Sequence, residues 1–117
     1  MSDVEQQLRE ALARADEQVA ALQRQHALVV AASQGSNADD EHDPEGSTIA
    51  FERAQVAALL ERARRTGRDL ARALDRLHDG THGRCEVCGT TIAAGRLQAR
   101  PDARTCIACA SARGRGR

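Results

Sequence analysis

Residues 8–29, LREALARADEQVAALQRQHALV, carry apolar side chains at Leu8, Leu12, Ala15, Val19, Leu22 and Val29, and His26 fills the remaining slot of an unbroken alternation of four and three. That count is a heptad seam, the mark of a helix that pairs with a neighbour along one narrow stripe. Downstream, Ile49, Val56, Leu60, Ala63, Gly67, Leu70, Leu74 and Leu77 repeat it, with Arg53 in the one slot that is neither apolar nor Gly. Two long helices are expected. Ser2 with Glu5 reads as a capping box, Gly35 as the first stop, Asp43-Pro44 or Ser47-Thr48 as the second start, and Gly80 as the second stop. At about 32 residues the first helix would extend roughly 48 Å.

A short connection between two such helices makes an antiparallel hairpin the simplest topology. With its tip near residue 41, Leu8 faces Leu74, Leu12 faces Leu70, Ala15 faces Gly67, Val19 faces Ala63, Leu22 faces Leu60 and His26 faces Val56. Each layer then joins an a position to a d position. Ala15 opposite Gly67 would permit a close approach, where a mid-helix Gly otherwise costs about 1 kcal/mol; a simple bend at Thr66-Gly67 is the alternative. His26 in the seam reads as a polar residue that fixes register and reaches solvent rather than as a ligand.

The chain has 117 residues, too few for a Rossmann-type enzyme or a barrel. Seventeen Arg and no Lys balance 17 acids, so the whole molecule has no electrostatic pull toward nucleic acid or membrane. The charge is regional instead. Residues 34–48 hold five acids and no Arg, whereas residues 80–117 hold seven Arg and two acids. One Phe and no Trp or Tyr leave few anchors for a globular core and no platforms for stacking bases. With no signal-like start and no membrane-length apolar run, a cytoplasmic protein is expected, in a reducing compartment where cysteines favour metal over disulfides.

Four cysteines bear on that point directly. Residues 84–110, RCEVCGTTIAAGRLQARPDARTCIACA, contain Cys85-x2-Cys88, seventeen intervening residues, and Cys106-x2-Cys109. Two residues between sulfurs let each pair present both thiolates to one ion, and Gly89 after the second Cys allows the positive φ of such a turn. Four thiolates on one Zn²⁺ leave a local charge of −2, which Arg84, Arg96, Arg100 and Arg104 stand near enough in sequence to offset. A filled shell has no place for water, so the zinc is expected to be structural rather than catalytic, with folding energy on the order of 10 kcal/mol or more. An iron–sulfur cluster fits the spacing less well. A thioredoxin-like redox pair would need a βαβ context, which is lacking. His78 and His82, one helical turn apart, read as polar residues of the helix end rather than as rival ligands.

The run carried by Cys85, Glu86, Cys88, Gly89, Ile92, Arg96, Leu97, Ala99, Arg100, Pro101, Ala103, Cys106, Ile107 and Cys109 closely resembles the DksA/TraR zinc-finger family. The resemblance extends from about residue 36 to residue 110, and to the first helix by architecture. It implies an all-α-dominated fold: a helical hairpin over residues 1–79 with an acidic tip near 36–47, a four-cysteine zinc finger at 80–110 and a short Arg/Gly tail at 111–117. It also implies a monomeric, non-enzymatic regulator that binds bacterial RNA polymerase, passing the coiled coil through the secondary channel to modulate initiation. Arg62 falls where family resemblance implies a guanosine tetraphosphate contact at the polymerase interface, while Asp69 and Ala110 stand where Lys is expected. Aligned on Asp43-Pro44, the second Asp and the Ala of the tip pattern fall on Gly46 and Thr48.

The residues themselves point the same way. Asp39, Asp40, Glu41, Asp43 and Glu45 crowd five carboxylates into seven positions at the end of a long lever, with His42 among them. Like charges so close cost stability, which favours a cationic partner or metal over a merely solvated loop. Arg64, Arg68, Arg72 and Arg76 form an i, i+4 ridge on the outer side of the second helix, read as a solvated face. The competing function is a zinc ribbon that binds nucleic acid through Arg84, Arg96, Arg100, Arg104 and the tail; neutral net charge and the lack of Lys and stacking aromatics count against it. A plain coiled-coil adaptor would leave the acidic tip without use. No nucleophile with its base, phosphate loop or open metal position suggests an enzyme.

Overall fold

The structure is a computed structural model that describes the backbone of residues 2–35 and 44–115 and the side chains of residues 2–34 and 48–113. Among the described residues four helices follow in order: α1 (Asp3–Gly35), α2 (Pro44–Asp79), α3 (Ala94–Ala99) and α4 (Ile107–Arg115). Among the described residues the one extended pairing is an isolated antiparallel bridge between Arg84 and Thr91. None of the helices is long and apolar enough to cross a membrane.

The helix ends follow their local chemistry. Ser2 Oγ accepts from the backbone N–H of Glu5 at 3.1 Å, one half of the expected capping box. Glu5 turns its own carboxylate toward Arg9, at 2.9 Å, and His78, at 3.2 Å. Of the two starts considered for α2, Pro44 is the one used; its missing N–H costs nothing in a first turn. Gly80, at φ +84°, closes the helix. Thr81 N–H reaches back to Arg76 O at 2.9 Å and Gly80 N–H to Leu77 O at 3.3 Å, the paired bonds of a Schellman motif.

The chain divides into two compact units. The first to consider, Arg14–Thr66, holds the later part of α1 and the earlier part of α2 as an antiparallel pair. Its core is Leu22, Val29, Val56, Leu60 and Ala63, with Val19 and Ile49 packed against it, and every one is a seam position of the heptad count. Ala15 is buried and His26 half-buried, as seam residues should be. Leu28 stays 72% exposed and Phe51, the single aromatic residue of the chain, 70%, so burial follows the stripe rather than hydrophobicity alone.

The other unit joins Met1–Ala13 to Gly67–Arg117. Here Leu8 is fully buried, and Leu70 and Leu74 of the second seam are buried as well. Ala73 is 1% exposed although it lies off that seam. Asp69, Ala73 and Arg76 form a second stripe on α2, spaced four and three. Asp69 lines a cleft together with Arg96, Arg104 and Thr105, which places the cysteine-bearing segment against this face. The last turns of α2 therefore bury two adjacent faces. The segment itself centres on Cys85, Ile92, Ala103 and Thr105, all buried. Its last helix runs to Arg115, into the stretch read from sequence as tail; Ala108, Ala110 and Ala112 favour helix there, and Gly114 falls only in the last turn.

Candidate metal centre

Each Cys-x2-Cys pair sits at a tight turn. In the first, Gly89 N–H donates to Cys85 O at 3.0 Å, and Gly89 takes φ +76°, the conformation its position requires. Cys85 N–H donates to Thr90 O at 2.8 Å, and Ile92 N–H to Gly83 O at 2.7 Å, which folds the strand-like edge back over the turn. The second pair opens α4. Glu86 N–H donates to Arg104 O at 2.9 Å and ties the two turns together.

The result is convergence of four sulfurs. Those of Cys85, Cys88, Cys106 and Cys109 all lie within 4.8 Å of one another. Cys88 Sγ is 3.8 Å from Cys106 Sγ. A tetrahedron with Zn–S bonds of about 2.3 Å has edges of about 3.8 Å, so donor type, number and spacing fit one structural zinc ion. Residues 80–113 match the family model of the prokaryotic dksA/traR C4-type zinc finger.

Similarity of this DksA/TraR type extends beyond the finger. Over 88% of this chain and 84% of the other, the structure is similar to that of transcription factor DksA2 from Pseudomonas aeruginosa, with a TM-score of 0.55 and 26% identity. Uncharacterized protein YteA of Bacillus subtilis (strain 168) is 38% identical over 69 residues, which are 59% of this chain and 29% of that protein. The chain thus spans under a third of the length of that curated relative.

Within the DksA/TraR-type finger the thiols are not equivalent. Backbone N–H groups of Cys88 and then Cys106 directed at Cys85 lower its pKa to about 6. Thr90, whose hydroxyl oxygen lies 3.0 Å from Cys88 Sγ, lowers that thiol, first through the hydroxyl and then through its N–H. Cys109 is pushed up to about 12 by the neighbouring Cys106 and then Cys88. Sulfurs this close cannot all carry charge without an ion between them.

The two histidines are used elsewhere: His78 Nε2 contacts Glu5, and His82 Nε2 lies 2.9 Å from Pro101 O. Of the four arginines expected to offset the thiolate charge, Arg96 donates through Nε to Thr105 O at 2.9 Å. Arg100 lies 3.8 Å from Asp102. Arg76, read from sequence as the end of a solvated ridge, is instead a partner of the finger. Its Nη2 donates to Arg84 O at 2.7 Å and Thr81 O at 3.3 Å. Its Nη1 lies 3.4 Å from Glu86 Oε1 at ion-pair distance while making no hydrogen bond, and the side chain is only 11% exposed. Arg64, Arg68 and Arg72 are exposed. No periodicity separates Arg76 from them; only the downstream chain that covers it does.

Asp39, Asp40, Glu41, His42 and Asp43 lie outside the described residues, and Glu45 is in the first turn of α2 with its side chain outside them. Arg62 is on an exposed face of α2. Asp69 and Ala110, the two positions where Lys was expected, line one cleft with Arg96, Arg100, Arg104 and Arg113.

Proposed function

We propose that this protein is a DksA-like transcription factor that binds bacterial RNA polymerase and modulates initiation, with the helix pair entering the secondary channel and the zinc finger remaining outside. The observation that carries this reading is the similarity, over 88% of the chain, to a structure described as that of a transcription factor, joined to the match of residues 80–113 to the dksA/traR C4-type zinc finger. In this reading Asp39, Asp40, Glu41, Asp43 and Glu45 form the tip and act near the polymerase's catalytic metal; Arg62 contacts polymerase or a nucleotide at its surface. Cys85, Cys88, Cys106 and Cys109 hold the zinc, which supplies folding energy and no chemistry. The role is modulation of another enzyme rather than catalysis by this chain, in the cytoplasm and as a monomer.

The deciding experiment is a binding titration with core RNA polymerase followed by promoter-dependent transcription in vitro. Binding at micromolar concentration or tighter is expected. Neutralising the five tip carboxylates to Asn and Gln should leave binding within a few fold and remove the effect on transcription. No binding at micromolar concentration overturns the proposal.

The nucleic-acid reading has one observation in its favour, the gathering of Arg96, Arg100, Arg104 and Arg113 in one cleft. Asp69 and Asp102 share that cleft and offset half its charge. A steep fall of DNA binding with salt, lost on deleting residues 112–117, would favour that reading instead.

A further inference from the structure

The peptide that leads into each metal turn is held from outside by a guanidinium. At the first turn, the carbonyl of Arg84, immediately before Cys85, accepts from Arg76 Nη2 at 2.7 Å, and the N–H of the same peptide donates to Thr90 O at 2.8 Å. At the second, the carbonyl of Thr105, immediately before Cys106, accepts from Arg96 Nε at 2.9 Å. The two donors come from different elements, α2 and α3. The Arg76 side chain is only 11% exposed, although the bond it makes lies at an exposed residue, and the Arg96 bond is partly buried.

The orientation of that peptide decides where the cysteine that follows it directs its Cβ, and so where the first sulfur of each pair stands. Charge-assisted bonds to a carbonyl are stronger than neutral ones and hold the plane against rotation. A guanidinium is also a fixed positive charge beside a tetrathiolate site that carries −2 with its ion. Both effects favour the filled site. Outer-shell partners of this kind commonly alter metal affinity by about 10- to 100-fold. Arg76 adds a further link, since its Nη1 reaches Glu86 on the other side of Cys85, at 3.4 Å.

We propose that Arg76 and Arg96 are a matched pair of positioning residues for the zinc finger, each fixing the peptide that enters one Cys-x2-Cys turn, and that together they govern how long the ion is retained. This inference rests on zinc occupying the four-sulfur cluster and is independent of whether the protein binds polymerase.

The test uses the zinc-loaded full chain and measures the rate of zinc loss to an excess of chromophoric chelator. Arg76→Lys and Arg96→Lys keep the charge and lose the guanidinium geometry. Each should release zinc at least about tenfold faster than the parent. The helical circular-dichroism signal of the loaded protein should not change, and the thiolate-to-metal band of the cobalt(II)-substituted protein should shift. Arg84→Gln removes a positive charge next to Cys85 from an exposed side chain, and should change release by less than about threefold. Release rates near the parent value in both Lys variants would overturn the proposal. So would equal acceleration by Arg84→Gln, which would show that any change beside the cluster speeds release and that the two guanidinium–carbonyl bonds have no special part in it. If Arg76→Lys loses helix when loaded, Arg96→Lys decides, and an unchanged rate there counts against the pair.

Discussion

Glu5 Oε1 stands 3.2 Å from His78 Nε2, joining the first turn of α1 to the last turn of α2 across 73 residues of chain. The same oxygen accepts from Arg9 Nη2 at 2.9 Å. One carboxylate therefore serves a helix-surface pair and a tertiary contact, and the contact with His78 followed by that with Arg9 holds its pKa below the ordinary 4.5.

A pH dependence follows from that lowered value. A carboxyl group whose folded pKa lies below its unfolded one adds stability above the unfolded value and loses it as pH falls through the folded one. Glu5→Gln should lower the melting temperature at neutral pH. Its deficit should begin to shrink below pH 4.5 and close as pH drops further. Paired melts of parent and variant from neutral to acid pH check this, because their difference cancels what acid does to the rest of the molecule. A deficit of constant size would show that the carboxylate contributes no charge interaction.

Zinc affinity should weaken as pH falls. Cys109, pushed up to about 12, holds its proton at neutral pH in the metal-free cluster and must lose it to solvent before its sulfur can bind the ion. One proton released corresponds to a tenfold loss of affinity per pH unit, so near pH 7 the slope should be at least about that large. Competition titrations against a chelator of known proton stoichiometry measure it. Serine at Cys109 should abolish stoichiometric binding in native mass spectrometry.

Two leucines on α1 should differ sharply. Leu22 is in the core of its unit and Leu28 is 72% exposed. Leu22→Ala is expected to cost about 2–5 kcal/mol through lost burial and a cavity. Leu28→Ala should remain within about 0.5 kcal/mol of the parent. Urea unfolding at fixed zinc concentration compares them; equal effects would contradict the seam.

Gly80 offers a purely conformational case. A Cβ there would meet nothing within 4 Å, yet the residue stands at φ +84°. Gly80→Ala should therefore cost about 1–2 kcal/mol through backbone strain alone. Thermal melts measure the loss, and a neutral result would mean that α2 can end in another way.

Much of the architecture was legible because it depends on short-range regularities. A heptad count is a property of each helix before it meets a partner, so Leu22, Val29, Val56, Leu60 and Ala63 could be named as core from spacing alone. The paired Cys-x2-Cys spacing likewise constrains sulfurs two turns of loop apart, and the positive φ at Gly89 follows from the same turn chemistry. Pro44 resolved an ambiguity between two plausible starts of α2 that cap preferences left open. Glu5 matched a capping-box pattern, yet its carboxylate went to Arg9, one turn on, and to His78 of α2, because a cationic partner attracts a carboxylate more strongly than a backbone N–H does.

What the amino-acid order determined by itself was the pair of amphipathic helices and the four-thiol ligand set, because periodicity and ligand spacing are written within a few residues of chain. What only the tertiary structure decided was which neighbours support that ligand set. Arg76 continues an arginine ridge in sequence, and Ala73 sits off the seam, but the finger folds over both and converts a solvated face into a buried one. The Thr90 hydroxyl oxygen stands 3.0 Å from Cys88 Sγ, a contact that the spacing of the cysteines does not announce. Burial of a second helix face and the direction of a hydrogen bond depend on where a distant segment lands, and no local pattern carries that information.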